Sequence, residues 1–430
     1  MIRILFPALA LFISAGTAFT QTLADRLAAL STGEEFTYSA LPADTFFTEK
    51  YILKIRQPID HQDTGKGWFE QRVFLAHRGF DKPVVFITEG YAAEYAGHPR
   101  YIHELSSMLD ASQVCAEHRY YGESAPDSMD WSCLNVANAA ADHHHIAEIL
   151  KQVYPGNWVS TGISKGGQTA MYYRTFYPDD VTATVGYVCP LNFSVEDKRV
   201  YRFMKTVGDA ETRTKVIRYQ QEMLQDKPRY LPEFERLTGS MNLHFAMGLE
   251  KGYELTVLEY SFAFWQWGNF SGDDIPQPED GPEKMVQHLH RVADVHWVSD
   301  EGIRSNQPFF YQALTEIGFY GYDIAAFEPW VSFKSNPTFE FTAPENTPVM
   351  YDPGPMTEVD KFIRHEASNM IFLYGETDPW SSTAVDLTYN NNLIKVIKPG
   401  GSHLTRIRNL PEEQRKMVVE TLRKWLNSSE

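Results

Sequence analysis

Ser164 stands between two glycines in Gly162-Ile163-Ser164-Lys165-Gly166, a G-x-S-x-G spacing. An apolar, β-branched run (158–161) leads into it and a helix-forming run (165–176) leads out. A serine on so sharp a strand-to-helix turn is lifted clear of the sheet, and the amides that open the helix point at the space in front of it. A hydroxyl is a weak nucleophile until a base takes its proton, and the base needs a third group to hold it in position. Two residues late in the chain stand at strand-to-loop junctions suited to those roles: Asp378 after "IFLYGET" and His403 after "IKVIKPGGS". Asp360 and Asp386 are less well placed. The chemistry expected is acyl transfer, with Ser164 attacking, His403 moving the proton and Asp378 holding the imidazole. The oxyanion formed on the way needs two N–H donors: the Lys165 amide, and Gly90 or Tyr91 in the turn "ITEGYAAEYAG".

A second cluster invites a metal reading. His143, His144 and His145 fall on a predicted helix, where successive side chains point about 100° apart and cannot close on one ion. No metal site is expected, and nothing calls for a cofactor.

The elements that must position these residues alternate. Strands are expected over 48–57, 68–77, 83–88 and 113–118, a helix over 138–153, a strand over 158–161, a helix over 165–176 and a strand over 181–188. Such alternation implies a mostly parallel sheet with helices on both faces. After Cys189-Pro190 the pattern changes to helical runs, aromatics and proline-rich connectors. Strand signals return in "NMIFLYGETDP" and "LIKVIKPGGSH", and an amphipathic helix closes the chain from Pro411. The reading is an α/β-hydrolase fold, with nucleophile, acid and histidine in the chain order of that fold, interrupted by a mainly helical cap. The divisions are 1–20 as signal peptide, 21–191 and 345–430 as the two parts of the α/β domain, and 192–344 as the cap.

The 430 residues and 43% hydrophobic content allow a large core. A formal charge of −17 argues against nucleic acid or an anionic membrane as partner. One arginine, then an apolar run from Ile4 to Ile13, then small residues, is the layout of a secretory signal cleaved near Ala18 or Thr20. The run is too short to span a bilayer, so a secreted or periplasmic protein without stable membrane insertion is expected. Export permits a disulfide among the three cysteines; Cys115 with Cys133 closes the shortest loop, leaving Cys189 unpaired.

Several stretches resemble a known group. "CAEHRYYGES" and "GETDPW" resemble blocks of the prolyl carboxypeptidase and dipeptidyl peptidase II group. "YPGNWVSTGISKGGQTAMYYRTFYPDDV", "FAFWQWG" and "GGSH" resemble, more fully, the secreted bacterial prolyl tri/tetrapeptidyl aminopeptidases. The resemblance implies a proline-specific serine exopeptidase that releases short peptides, with tripeptides foremost, from a free N-terminus. It also puts the triad on Ser164, Asp378 and His403. A cap would exclude folded proteins, and a carboxylate could pair with the substrate ammonium; Glu89 and Glu123 are the candidates. Trp265, Trp267 and Trp380 are candidates for the proline pocket. The alternatives are an esterase or lipase with the same triad, and a non-catalytic binding protein on the same fold.

Overall fold

In the computed structural model, residues 22–31 and 35–427 are described. The proposed signal segment therefore lies outside the described residues. Nine strands form one sheet: β1 Phe36–Leu41, β2 Glu49–Pro58, β3 Trp68–His77, β4 Val84–Thr88, β5 Ser112–Ala116, β6 Trp158–Ile163, β7 Ala183–Tyr187, β8 Met370–Gly375 and β9 Ile394–Lys398. The order is β1-β2-β3-β5-β4-β6-β7-β8-β9. The first three pairings are antiparallel and the five from β5 onward are parallel. This is the α/β-hydrolase architecture expected from the sequence.

The parallel strands read as near-continuous apolar runs because helices cover both of their faces. "VVFIT", "ATVGY" and "MIFLYG" are buried throughout. Val114 and Ala116 pack with Ile146 and Leu150 of the helix Val136–Lys151 on one face. Cys115 between them packs with Leu105, Val418 and Leu422 on the other. The sequence pattern does not announce β1. It is an edge strand pairing Phe36 with Ile55 through to Leu41 with Lys50, and only Phe36 along it is buried. A strand with so little buried surface has a weak hydrophobic signature.

Between β7 and β8 the described residues contain no strand. Six helices of six or more residues occupy 198–312, the longest being Leu249–Trp267, which is buried along most of its length. A further helix, Gly354–His365, which the sequence pattern does not announce, leads into β8. No described helix is long and apolar enough to cross a membrane.

The proposed disulfide is not formed. All three cysteines are free and buried. Cys115 points from β5 into the core on one side of the sheet. Cys133 ends a short turn where Lys66 Nζ approaches its Sγ at 3.4 Å and its carbonyl accepts from Arg119. A short loop in sequence did not bring the two side chains together, because β5 turns its cysteine away.

Candidate active site

Ser164 joins β6 to the helix Lys165–Phe176 with φ 56° and ψ −122°. This is a strained conformation for a residue with a β-carbon. Two glycines make the turn possible. A Cβ on Gly162 would lie 2.0 Å from the Gly166 carbonyl oxygen, and one on Gly90 would lie 2.7 Å from the Gly166 amide nitrogen. The serine turn and the turn after β4 are thus pressed together backbone to backbone. Thr88 Oγ1 ties them further by donating to the carbonyls of Thr161 and Gly166, each at 3.2 Å. Buried Lys165 adds a third tie: its Nζ donates to the Gly90 carbonyl at 2.8 Å.

Asp378 and His403 follow β8 and β9. Both are buried, and His403 Nδ1 lies 2.7 Å from Asp378 Oδ2. A carboxylate only accepts, so Nδ1 carries the proton and Nε2 presents its lone pair. Asp378 Oδ1 accepts the Trp380 amide at 3.2 Å, which fixes the carboxylate plane. The end of the long helix docks on the same loop: the His403 amide donates to the Gln266 carbonyl at 2.8 Å. The Trp267 ring meets the His403 ring edge to face at 5.6 Å.

Ser164 and His403 open onto one cavity of about 830 Å³ between the carboxyl ends of the parallel strands and the helical segment. Glu89, Tyr91, Trp267 and Trp380 also line it. Two of the substrate-binding candidates do not. Trp265 faces a neighbouring cavity of about 450 Å³ and packs over Gly208. Glu123 is exposed on the outside, where it accepts from Lys54 at 3.0 Å and Arg72 at 3.2 Å. The block that carries it is structural. Arg72 binds Glu117 through two nitrogens. Arg119 binds Asp142 through two nitrogens, at 2.6 and 2.7 Å, in full burial. The histidine trio disperses likewise: His143 to the Ala139 carbonyl, His144 to Asp180 and His145 to Gln57.

A family model described as PS-10 peptidase S37 matches residues 25–429. The chain belongs to the S37 peptidase family. It is 31% identical to the prolyl tri/tetrapeptidyl aminopeptidase of Streptomyces mobaraensis over 87% of this chain and 79% of that protein. Identity to the lysosomal Pro-X carboxypeptidase of Bos taurus is 25%, over 86% of this chain and 87% of that one. Among solved structures, the proline iminopeptidase of Mycobacterium smegmatis aligns over 92% of this chain and 100% of its own, at 13% identity and a TM-score of 0.41. The chain is a serine peptidase of proline-directed kinship.

The electrostatics of this S37 peptidase's cavity are set by burial. Burial raises the Glu89 carboxyl, offset by the Tyr95 hydroxyl and the Gly90 amide, which donates to it at 3.2 Å. Burial drives the Lys165 ammonium well below its ordinary range, opposed by Glu89. Of the Gly90 and Tyr91 amides, that of Gly90 is thus already engaged. One lining residue is absent from the sequence candidates: Glu259, in the middle of the long helix, 5% exposed. Its Oε2 accepts from Tyr320 Oη at 2.8 Å and Tyr322 Oη at 2.7 Å. Burial pushes its carboxyl up to about 7 despite those two hydrogen bonds. An acidic residue inside an apolar helical run was readable as an anomaly, but not its destination.

Proposed function

We propose that this peptidase is a secreted exopeptidase that removes short peptides, tripeptides foremost, from a free N-terminus by cutting after proline. In this reading Ser164 Oγ attacks the carbonyl carbon of the proline. His403 Nε2 takes the serine proton as the new C–O bond forms, and the resulting imidazolium is held by Asp378. The tetrahedral oxyanion is met by the amides of Lys165 and Tyr91. His403 then returns the proton to the departing amine, the C–N bond breaks, and an acyl-enzyme remains. Water, activated by the same imidazole, releases the peptide. Residues 192–344 act as a cap on the α/β parts 21–191 and 345–430, admitting chain ends and excluding folded proteins. Trp267 and Trp380 offer flat apolar faces for a proline ring.

The observation that carries this reading is the cavity itself, which Ser164 and the Asp378-bound His403 share beneath the helical segment. The similarity to a prolyl tri/tetrapeptidyl aminopeptidase supports the proline and N-terminal preference. The test is mass spectrometry of products from proline-containing peptides offered free, N-acetylated and C-amidated. Release of tripeptides from free and amidated peptides, with the acetylated set untouched, supports the proposal. Cleavage of acetylated peptides, or trimming from the C-terminus, overturns it. Secretion is tested separately by N-terminal sequencing of the exported protein, with a start near Gln21 expected.

A further inference from the structure

Glu259 is a buried carboxylate with no cation to match. No ion pair involves it among the described residues, and both tyrosine hydroxyls bind the same oxygen, Oε2, leaving Oε1 without a hydrogen-bond donor there. Desolvating a carboxylate on these terms is costly unless a charge arrives to meet it. The other carboxylates on the cavity wall are provided for. Glu89 is bound by the Tyr95 hydroxyl and the Gly90 amide. Asp294 is largely solvent-exposed and accepts the His296 amide.

The position of Glu259 carries a length. Glu259, Phe262, Ala263, Gln266 and Trp267 all line the cavity. Their spacing of three and four residues makes them one stripe along the helix Leu249–Trp267. That stripe ends against the reacting groups, with the Trp267 ring 5.6 Å from the His403 ring. Glu259 stands eight residues earlier in the same unbroken helix, which at about 1.5 Å per residue is about 12 Å along the axis. An extended peptide covers about 3.3–3.6 Å per residue. The interval therefore fits about three to four residues.

We infer that Glu259 receives the substrate's N-terminal ammonium on Oε1, and that the helix from Glu259 to Trp267 measures the three or four residues between that anchor and the cut. The inference rests on the exopeptidase reading above and adds the residue that sets product length. It makes Glu259 a specificity determinant that touches substrate, with Tyr320 and Tyr322 as positioning residues that hold the carboxylate in place.

The experiment compares wild type with E259Q and E259D, each as the full mature chain. The probes are H-(Ala)n-Pro-p-nitroanilides with n from 1 to 3, the N-acetylated tripeptide anilide, p-nitrophenyl acetate and a fluorophosphonate label. In E259Q the KM for the free tripeptide anilide is expected to rise about 30- to 100-fold, the loss of one charge-assisted contact, with kcat changed less than about threefold. The preference among chain lengths flattens, while p-nitrophenyl acetate hydrolysis and labelling stay at wild-type levels. E259D, which keeps the charge, recovers part of the KM. An unchanged KM and length preference in E259Q overturn the anchor, and so does an equal loss on the ester, which marks a merely structural role. Absence of Ser164 labelling in the wild type counts instead against the exopeptidase reading itself.

Discussion

The single hydrogen bond between His403 Nδ1 and Asp378 Oδ2, 2.7 Å long, determines which imidazole nitrogen can act as a base. Asp378→Asn replaces an obligate acceptor with a group that can also donate. The ring then turns over to the tautomer that carries its proton on Nε2, where it can no longer take one from Ser164. A fall in kcat on the order of 10⁴, with KM within a fewfold, is expected for tripeptide anilides in steady-state assays. Ser164→Ala is expected to lower kcat by about 10³-fold or more and to leave the melting temperature nearly unchanged. Alanine keeps the β-carbon that makes the positive φ at this position costly, so the substitution removes the hydroxyl and leaves the backbone strain as it was. Circular dichroism melting of the two variants separates loss of chemistry from loss of fold. These residues were legible because their chemistry demands a fixed setting: glycines on either side of the serine, and strand ends before the acid and the base. Glu259 was not legible. Its meaning depends on two tyrosines about sixty positions later, which nothing local in "LTVLEYSFAFWQW" announces.

At the scale of elements, the serine turn depends on backbone contact with no room for side chains. Gly162→Ala would set a methyl 2.0 Å from the Gly166 carbonyl. Because the opposing atoms are backbone, the turn itself must open. The expected result is a melting temperature several degrees lower, together with loss of fluorophosphonate labelling. The sheet gives a second expectation. With Cys115 turned to one face of β5 and Cys133 held beside Lys66, no covalent link restrains the fold. Thiol titration in denaturant should count three free cysteines, all of them buried in the native chain, and reductant should not move the melting curve. Two titratable thiols fewer, or a reductant-sensitive melt, would contradict the structure. The buried parallel strands were legible because strands covered on both faces must be apolar without interruption. β1 was not, since an edge strand with one buried residue hardly departs from a loop in composition. Nor was Gly354–His365, whose Pro353-Gly354-Pro355 start reads as a turn although proline suits a first helical turn.

For the molecule as a whole, the helical segment carries two carboxyls that burial would keep neutral, one on the cavity wall and one where the segment meets the helix Val136–Lys151. Burial raises Glu259 to about 7. It does the same to Glu316, which accepts the Val136 amide at 2.6 Å and so ties the segment to the helix Val136–Lys151. The sign of the effect follows from proton counting. Between the ordinary glutamate value near 4.5 and about 7, the folded chain binds more protons at Glu259 than the unfolded chain does. The stability this group contributes is thus fully present below about 4.5 and declines as pH rises to about 7, at up to about 1.4 kcal/mol per pH unit. Carboxylates held low by partners, such as Asp142 beside Arg119, change in the opposite direction on acidification, so the raw profile of the wild type mixes both. The difference between wild type and Glu259→Gln removes the mixture. At pH 5 the two should melt together, since both carry a neutral group against Tyr320 and Tyr322. At pH 8 the wild type must hold a charge in the cavity and the variant need not, so the variant should melt several degrees higher. Adding a non-hydrolysed peptide with a free N-terminus to the inactive Ser164→Ala background should narrow or reverse that gap at pH 8, because only the carboxylate gains a partner. A gap at pH 8 that the peptide leaves untouched would mean that the buried charge destabilises the fold without serving to bind substrate.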